Sequence, residues 1–201
     1  MSDEQQEALG WVPVDGRGSL PFALVHGESL VAAASWALGE AGILLFDATV
    51  PFDEVRRSGR ALVLHDPLCP LAPADFLAAA AARAEETGAV VVGFRPVTDT
   101  VKMAGDGRLG ATVDRTDLRA VATPVVVPAD ILAGLEHLDA SDFPALVATL
   151  ATQAEIDWFE APALARRVRD QDDLADLEAL SRALVAAQEA AQEAPQDPAG
   201  S

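Results

Sequence analysis

The sequence predicts an α/β fold with a mostly parallel sheet and helices on both faces, and three observations carry that expectation. Two short apolar runs, Ala61-Leu62-Val63-Leu64 and Ala89-Val90-Val91-Val92, have the length and continuity of strands buried on both sides. Between them, the segment from Pro73 to Glu86 is helical in composition and Gly88 closes it, so strand, helix and strand follow one another as a βαβ unit. The first run passes directly into His65-Asp66, which sets an acidic residue at the carboxyl end of a strand, where open α/β sheets hold their ligands.

Length and charge bound what such a domain can do. The 201 residues suit one domain, expected over residues 11–192 between a flexible start (1–10) and a disordered tail (193–201). Acidic residues outnumber basic ones by 32 to 14, a net charge of −18, which argues against nucleic acid or an anionic membrane as a partner. A phosphate ligand would need a local cluster of the few basic residues. The acidic, polar start lacks a basic leader region, and no apolar run is long enough to span a bilayer. The single cysteine, Cys69, excludes an internal disulfide, and together these features fit the cytoplasm.

In chain order, Trp11 to Val14 reads as the first strand, ending at Asp15-Gly16-Arg17-Gly18-Ser19. Such a loop either cradles a phosphate on bare backbone amides or is a plain strand-to-helix turn. Ser29 is placed to cap a helix over Leu30 to Leu38, Gly42 marks its exit, and Ile43 to Phe46 gives the second strand. His26 reads as a surface residue in a short turn. Residues 47–60 join two strands by a short helix and a loop. Asp66 is either a turn-forming side chain or a ligand-binding one, and Cys69 reads as a half-buried small apolar residue. Residues 98–123 form two β-prone stretches around Ala104-Gly105-Asp106-Gly107-Arg108, the composition of a hairpin arm. Its Val97, Val101, Val113, Leu118, Val121 and Val125 are more apolar surface than a free arm should expose. A helix after Pro128, a capped helix start at Ser141-Asp142-Phe143, a strand at Ile156 to Phe159 and an amphipathic helix from Asp170 or Gln171 to Ala191 complete the domain. No Ser-His-Asp or Cys-His spacing suggests a nucleophile.

Three motifs in this order resemble a known family. His65-Asp66-Pro67-Leu68-Cys69-Pro70 is similar to a strand end reading His-Asp-x-x-Arg-Pro. Pro96-Val97-Thr98-Asp99-Thr100-Val101-Lys102 is similar to Pro-Val-x-Asp-Thr-x-Lys, and Thr112 to Pro124 to Thr-Val-Asp-Arg-x-x-Leu-x-x-x-x-Thr-Pro. The chain thus resembles the 2-C-methyl-D-erythritol 4-phosphate cytidylyltransferases of isoprenoid precursor biosynthesis. That resemblance implies a Rossmann-like nucleotidyltransferase fold and a nucleotide or sugar-phosphate ligand. It implies Asp66 as the Mg²⁺ ligand when a nucleotide is bound. Arg167 stands where the family has a catalytic-site lysine, in a segment similar to Asn-x-Lys-x-Thr-x-Pro-Glu-Asp-Leu, and Arg17 is the basic residue left in the glycine loop. These two take the catalytic positions. Thr100 and Arg115, with Asp99 beside them, match residues of an arm that crosses a homodimer to the sugar phosphate of the partner's site.

Several positions depart from that pattern. The glycine loop is contracted, Pro21-Phe22 replaces a Pro-Lys, Cys69 replaces the motif's arginine, and Ala165 replaces a polar residue. The segment that recognises cytosine in the family has no counterpart in residues 47–60. Phosphoryl chemistry depends on positioned positive charge. The sequence therefore leads to a family member that retains binding or regulation after losing transfer, with an active cytidylyltransferase as the alternative.

Overall fold

The computed structural model describes residues 7–46, 49–97, 102–105, 108–112 and 118–193. The first strand, β1 (Leu9–Trp11), is followed by a loop to the short hairpin β2 (Leu24–Val25) and β3 (Glu28–Ser29). Helix α1 (Leu30–Glu40) then leads to β4 (Leu44–Leu45), α2 (Phe52–Arg56) and β5 (Leu62–Leu64). Helix α3 (Ala74–Thr87), β6 (Val90–Pro96), the hairpin β7 (Lys102–Gly105) and β8 (Arg108–Thr112), and the long β9 (Arg119–Val127) follow. Helices α4 (Ala129–Gly134) and α5 (Phe143–Leu150), β10 (Ile156–Glu160) and α6 (Gln171–Glu193) end the described chain.

Six strands make one mixed sheet in the order β10-β6-β9-β5-β1-β4, in which β9 alone runs antiparallel to its two neighbours. The apolar runs at its centre alternate between two cores, as a period of two requires. Val63, Val91 and Val126 face Leu38 of α1 and Leu77, Ala80 and Ala84 of α3. Leu62, Leu64, Val90, Val92, Val125 and Val127 face Leu132 of α4 and Phe143, Leu146 and Leu150 of α5. Each such fully buried Leu or Val contributes about 2 kcal/mol. A third, smaller cluster joins Val25 and Leu30 to Leu68, Val168, Leu174 and Leu177, and so ties the start of α6 to the turn after β5.

The topology selects a place for a site. From β1 the chain crosses through α1 to β4 on one side, whereas β5 lies on the other, with Trp11 opposite Leu64. A crevice opens beyond the carboxyl ends of strands that part in this way. The loop after β1 carries Arg17, and the turn after β5 carries Asp66.

The structure amends three expectations and adds one feature. β1 covers Leu9–Trp11 instead of Trp11 to Val14: Pro13 has no N–H for the ladder, which ends the strand before it, and Ala8 and Leu9 are already buried. Cys69 is fully buried, not half-buried. Residues 119–123 belong to β9 of the central sheet, so the expected arm is shorter than 98–123; Val125 lies in the core and Val121 packs against it. Those two valines need no cover from a partner. Finally, β6 carries a register shift between Val92 and Phe94, and a Cβ on Gly93 would lie 1.9 Å from the Thr123 carbonyl oxygen. Only glycine lets β9 approach β6 this closely, while the pairing of Leu64 with Val125 sets Thr123 at the end of β5.

Candidate functional site

Asp66 is the centre of the site, and local turn chemistry fixes it. Beyond Leu64, the His65 amide donates to the Trp11 carbonyl (2.9 Å), which extends the pairing of β5 with β1 by one residue. The chain then turns: Asp66 Oδ1 accepts from the Leu68 amide (3.1 Å) and the Asp66 carbonyl from the Cys69 amide (2.8 Å). A short acidic side chain followed by proline is suited to that turn. Thr123 Oγ1 accepts the Asp66 amide (3.1 Å) and lies 2.6 Å from His65 Nδ1. Three residues from two of the resembling motifs therefore meet here. Their contact was hidden in the sequence, because it comes from the antiparallel register of β5 with β9, in which Leu64 faces Val125.

Two guanidinium groups close on the carboxylate. Arg17 Nε donates to Asp66 Oδ1 at 2.8 Å, and Arg167 Nε donates to Oδ2 at 2.9 Å. The Arg17 side chain is only 1% exposed. Its Nη1 donates to the carbonyls of Asp15 (2.7 Å), Ala140 (3.1 Å) and Ser141 (3.4 Å), and its plane lies 5.1 Å from the Phe143 ring centre. Gly16, at φ +75°, makes this wrapping possible, since a Cβ there would meet the Ser141 carbonyl at 2.7 Å. Arg17 thus braces Asp66 from inside and does not face solvent. Arg167 is 44% exposed, held in place because Val168 is buried and donates its amide to the Leu68 carbonyl (2.7 Å).

Burial alone would raise the Asp66 pKa, but Arg17 and Arg167 outweigh it and hold the carboxyl below its ordinary value. The neighbouring Cys69 thiol is pushed well up by burial and by the Asp66 charge, which leaves it a poor nucleophile. His65 is lowered to about 4 by burial, against the opposing pull of Asp66, so it is neutral at pH 7. Among the described residues its Nε2 has no hydrogen-bond partner.

A second carboxylate repeats the arrangement nearby. Asp173 accepts from Arg166 Nη2, from Arg169 Nε (2.7 Å) and Nη2 (3.1 Å), and from the Arg169 amide (3.0 Å). The hydrogen bonds from Arg169 foremost, with those from Arg166, hold its pKa far below the usual carboxylate range despite burial. Arg166, Arg167 and Arg169, with Arg95 from the end of β6 and the walls Val121 and Ala122 of β9, line a cavity of about 580 Å³.

These residues do not fit a divalent metal at Asp66. A hard cation needs carboxylate oxygens turned towards it and is repelled by adjacent cations. Here both Asp66 oxygens already accept from arginine, Ala165 is an apolar neighbour with no exposure, and no group of three or more acidic, His or Cys side chains suited to a metal occurs among the described residues. The expected substrate residues Asp99, Thr100 and Arg115 lie outside the described residues.

The family described as IspD, 2-C-methyl-D-erythritol 4-phosphate cytidylyltransferase, matches residues 52–154, the stretch that holds Asp66, Thr123 and both faces of the central sheet. The chain belongs to this cytidylyltransferase family. It is 33% identical over 133 residues to the cytidylyltransferase of Frankia casuarinae, covering 61% of this chain and 50% of that protein. It is 41% identical over 85 residues to the bifunctional enzyme IspD/IspF of Clavibacter michiganensis subsp. michiganensis, covering 39% of this chain and 21% of that protein. The chain spans about half the length, or less, of these curated relatives. The crystal structure of the cytidylyltransferase from Thermus thermophilus shares its fold, with a TM-score of 0.64 at 21% identity over 89% of this chain and 99% of that one. A structure of 4-diphosphocytidyl-2C-methyl-D-erythritol synthase gives 0.63 at 15% identity, over 88% of this chain and 99% of that one. Arg17 and Arg167 lie outside the matched stretch. No helix among the described residues is long and apolar enough to cross a membrane.

The buried His65 gives the cytidylyltransferase-like domain a pH dependence with a definite sign. In the unfolded chain the imidazole gains its proton as pH falls through about 6.5, whereas in the fold it does so only near 4. The unfolded state therefore binds more protons in that window. Stability that is complete above pH 6.5 is lost towards pH 4, by up to about 3 kcal/mol. Urea unfolding at pH 7.5 and pH 5 should show the wild-type midpoint falling, with a smaller fall for His65→Asn; equal falls would remove His65 as the cause.

Proposed function

We propose that this chain is a cytidylyltransferase-family protein that binds a nucleotide or sugar phosphate and no longer transfers CMP, so that it acts by binding or regulation. The observation that carries this reading is the state of Asp66. The carboxylate at the family's metal position is buried and bonded by Arg17 and Arg167. A transfer step needs positive charge along a triphosphate and a frame for the base. Phe22, 61% exposed, stands where the resemblance calls for a lysine, and the buried Cys69 stands where it calls for an arginine.

The alternative, an active enzyme that transfers CMP from CTP to a sugar-alcohol phosphate, is favoured by the convergence of Arg17 and Arg167 on one retained aspartate. If ligand binding drew Arg167 away, the carboxylate would be exposed on one side. One experiment separates the two. The purified chain is incubated with CTP, Mg²⁺ and methylerythritol phosphate, and pyrophosphate release is followed beside a calorimetric CTP titration. No turnover is expected. A rate near the enzyme median, on the order of 10 per second, would overturn the reading in favour of the alternative.

The same reading includes a cytoplasmic homodimer joined through the arm, with Arg115 near the Asp66 face of the partner. Its described part is the β7–β8 hairpin, Lys102–Gly105 with Arg108–Thr112. Isolated two-stranded ribbons are marginal in water, and a second copy is a natural cover under two-fold symmetry. Light scattering at micromolar concentration should give twice the chain mass. A monomer, or a dimer that survives deletion of residues 101–117, would refute the arrangement.

A further inference from the structure

We propose that the cavity beside Asp66 is a metal-independent site for a small polyanion, a diphosphate or phosphate monoester, held by Arg95, Arg166, Arg167 and Arg169. The proposal rests on the reading above that the ligand carries phosphate, and it adds which side chains hold that phosphate and by what means.

The first argument is charge. Of the four arginines, only Arg167 answers to a basic position in the resembling motif; Arg95 precedes the Pro-Val segment, and Arg166 and Arg169 stand at an unspecified position and at a threonine. Arg167 shares Asp66 with the buried Arg17, Arg166 and Arg169 share Asp173, with Asp176 4.0 Å from Arg166, and Arg95 is held by the Ala161 carbonyl. The cavity lining itself holds these four arginines and no carboxylate, in a chain whose net charge is −18. Elsewhere acidic residues dominate, so the field of the whole molecule repels a polymeric polyanion while a small one can enter the local well.

The second argument is donor geometry. Among the described residues, the hydrogen bonds of Arg95, Arg166 and Arg167 each use one N–H: Arg95 Nη1 to the Ala161 carbonyl (3.1 Å), Arg166 Nη2 to Asp173, and Arg167 Nε to Asp66 (2.9 Å). A guanidinium has five donors in a planar fork that matches phosphate oxygens in pairs. Those single bonds fix each group and leave the rest of its fork for a ligand. Asp66 and Asp173 act as pegs that hold the arginines in place before any ligand arrives, which reduces the ordering loss on binding.

The third argument is space. A volume of about 580 Å³ lies within the range of small-ligand pockets. Val121, Ala122 and Pro96 give it an apolar wall suited to the carbon skeleton of a phosphate ester. The excess of guanidinium charge takes over the neutralising role that a divalent cation would otherwise have, and a cation entering here would be repelled.

Titration calorimetry of the full chain with inorganic pyrophosphate tests this, in EDTA and again in Mg²⁺, with inorganic phosphate for comparison. Pyrophosphate should bind in EDTA, more tightly than phosphate, and added Mg²⁺ should not strengthen it. Arg95→Gln and Arg166→Gln, each confirmed as folded by circular dichroism, should each weaken binding about tenfold, as expected for loss of a charge-assisted hydrogen bond. Arg57→Gln, at the C-terminal cap of α2, should bind as wild type. Binding that needs Mg²⁺, no binding, or folded Arg95 and Arg166 variants with wild-type affinity would overturn the proposal. A CTP titration separates this from the functional reading. Pyrophosphate binding in EDTA without CTP binding would keep the cavity and remove the nucleotide. CTP binding unaffected by Arg95→Gln would do the reverse.

Discussion

A carboxylate taken out of water must be matched by positive charge or by protons, and the rest of this structure follows from how Asp66 is matched. Its side chain is 2% exposed and lies between Arg17 and Arg167. One arginine comes from the loop after β1 and the other from the segment before α6. The ion pairs therefore tie three distant stretches of chain to the carboxyl end of the sheet. Removing one partner of such a buried pair is far more disruptive than the pair itself is stabilising, because the charge left behind has lost its solvation. The turn at Asp66–Cys69, the glycines around Arg17 and the burial of Val168 all serve to bring the three charges into register.

The same clamp bears on function. A metal-binding aspartate needs an oxygen that a cation can reach, and an arginine pair offers the opposite electrostatics. Positive charge in this molecule has gathered around two acidic pegs, Asp66 and Asp173, beside a cavity, and the glycine loop contributes its one arginine, Arg17, to the first of them. The family membership explains the fold and the position of the crevice. The charge that lines the crevice comes from this chain's own arginines.

Much of the fold was legible in the sequence because it depends on local pattern. The runs at Leu62–Leu64 and Val90–Val92 alternate between two cores as their composition suggests, Ser29 caps α1 through the Ala32 amide (3.3 Å), and the three motifs identified the family. The carboxyl-end position of Asp66 was also readable from the strand that precedes it. What was not readable depends on approaches between distant segments. Nothing local shows that Arg17 is buried against Ala140 and Ser141, that Gly93 admits the Thr123 carbonyl, or that Arg95 and Arg166 meet across one cavity. The extent of the arm was misjudged for a similar reason: a β-prone stretch has the same composition in a hairpin and in a sheet, and only its pairing with β6 assigns residues 119–123 to the central sheet.

The central claim is that Asp66 is a structural charge clamp. The most direct measurement is a double-mutant cycle of stability by urea unfolding, on wild type, Asp66→Asn, Arg17→Met and the double variant. The clamp predicts that Asp66→Asn alone destabilises by roughly 3–5 kcal/mol, and that the double variant is little worse than either single one, a coupling above about 1 kcal/mol. An aspartate kept for a ligand gives the contrary result, because replacing strained functional carboxylates leaves stability unchanged or raised. Wild-type or higher stability for Asp66→Asn would contradict the account.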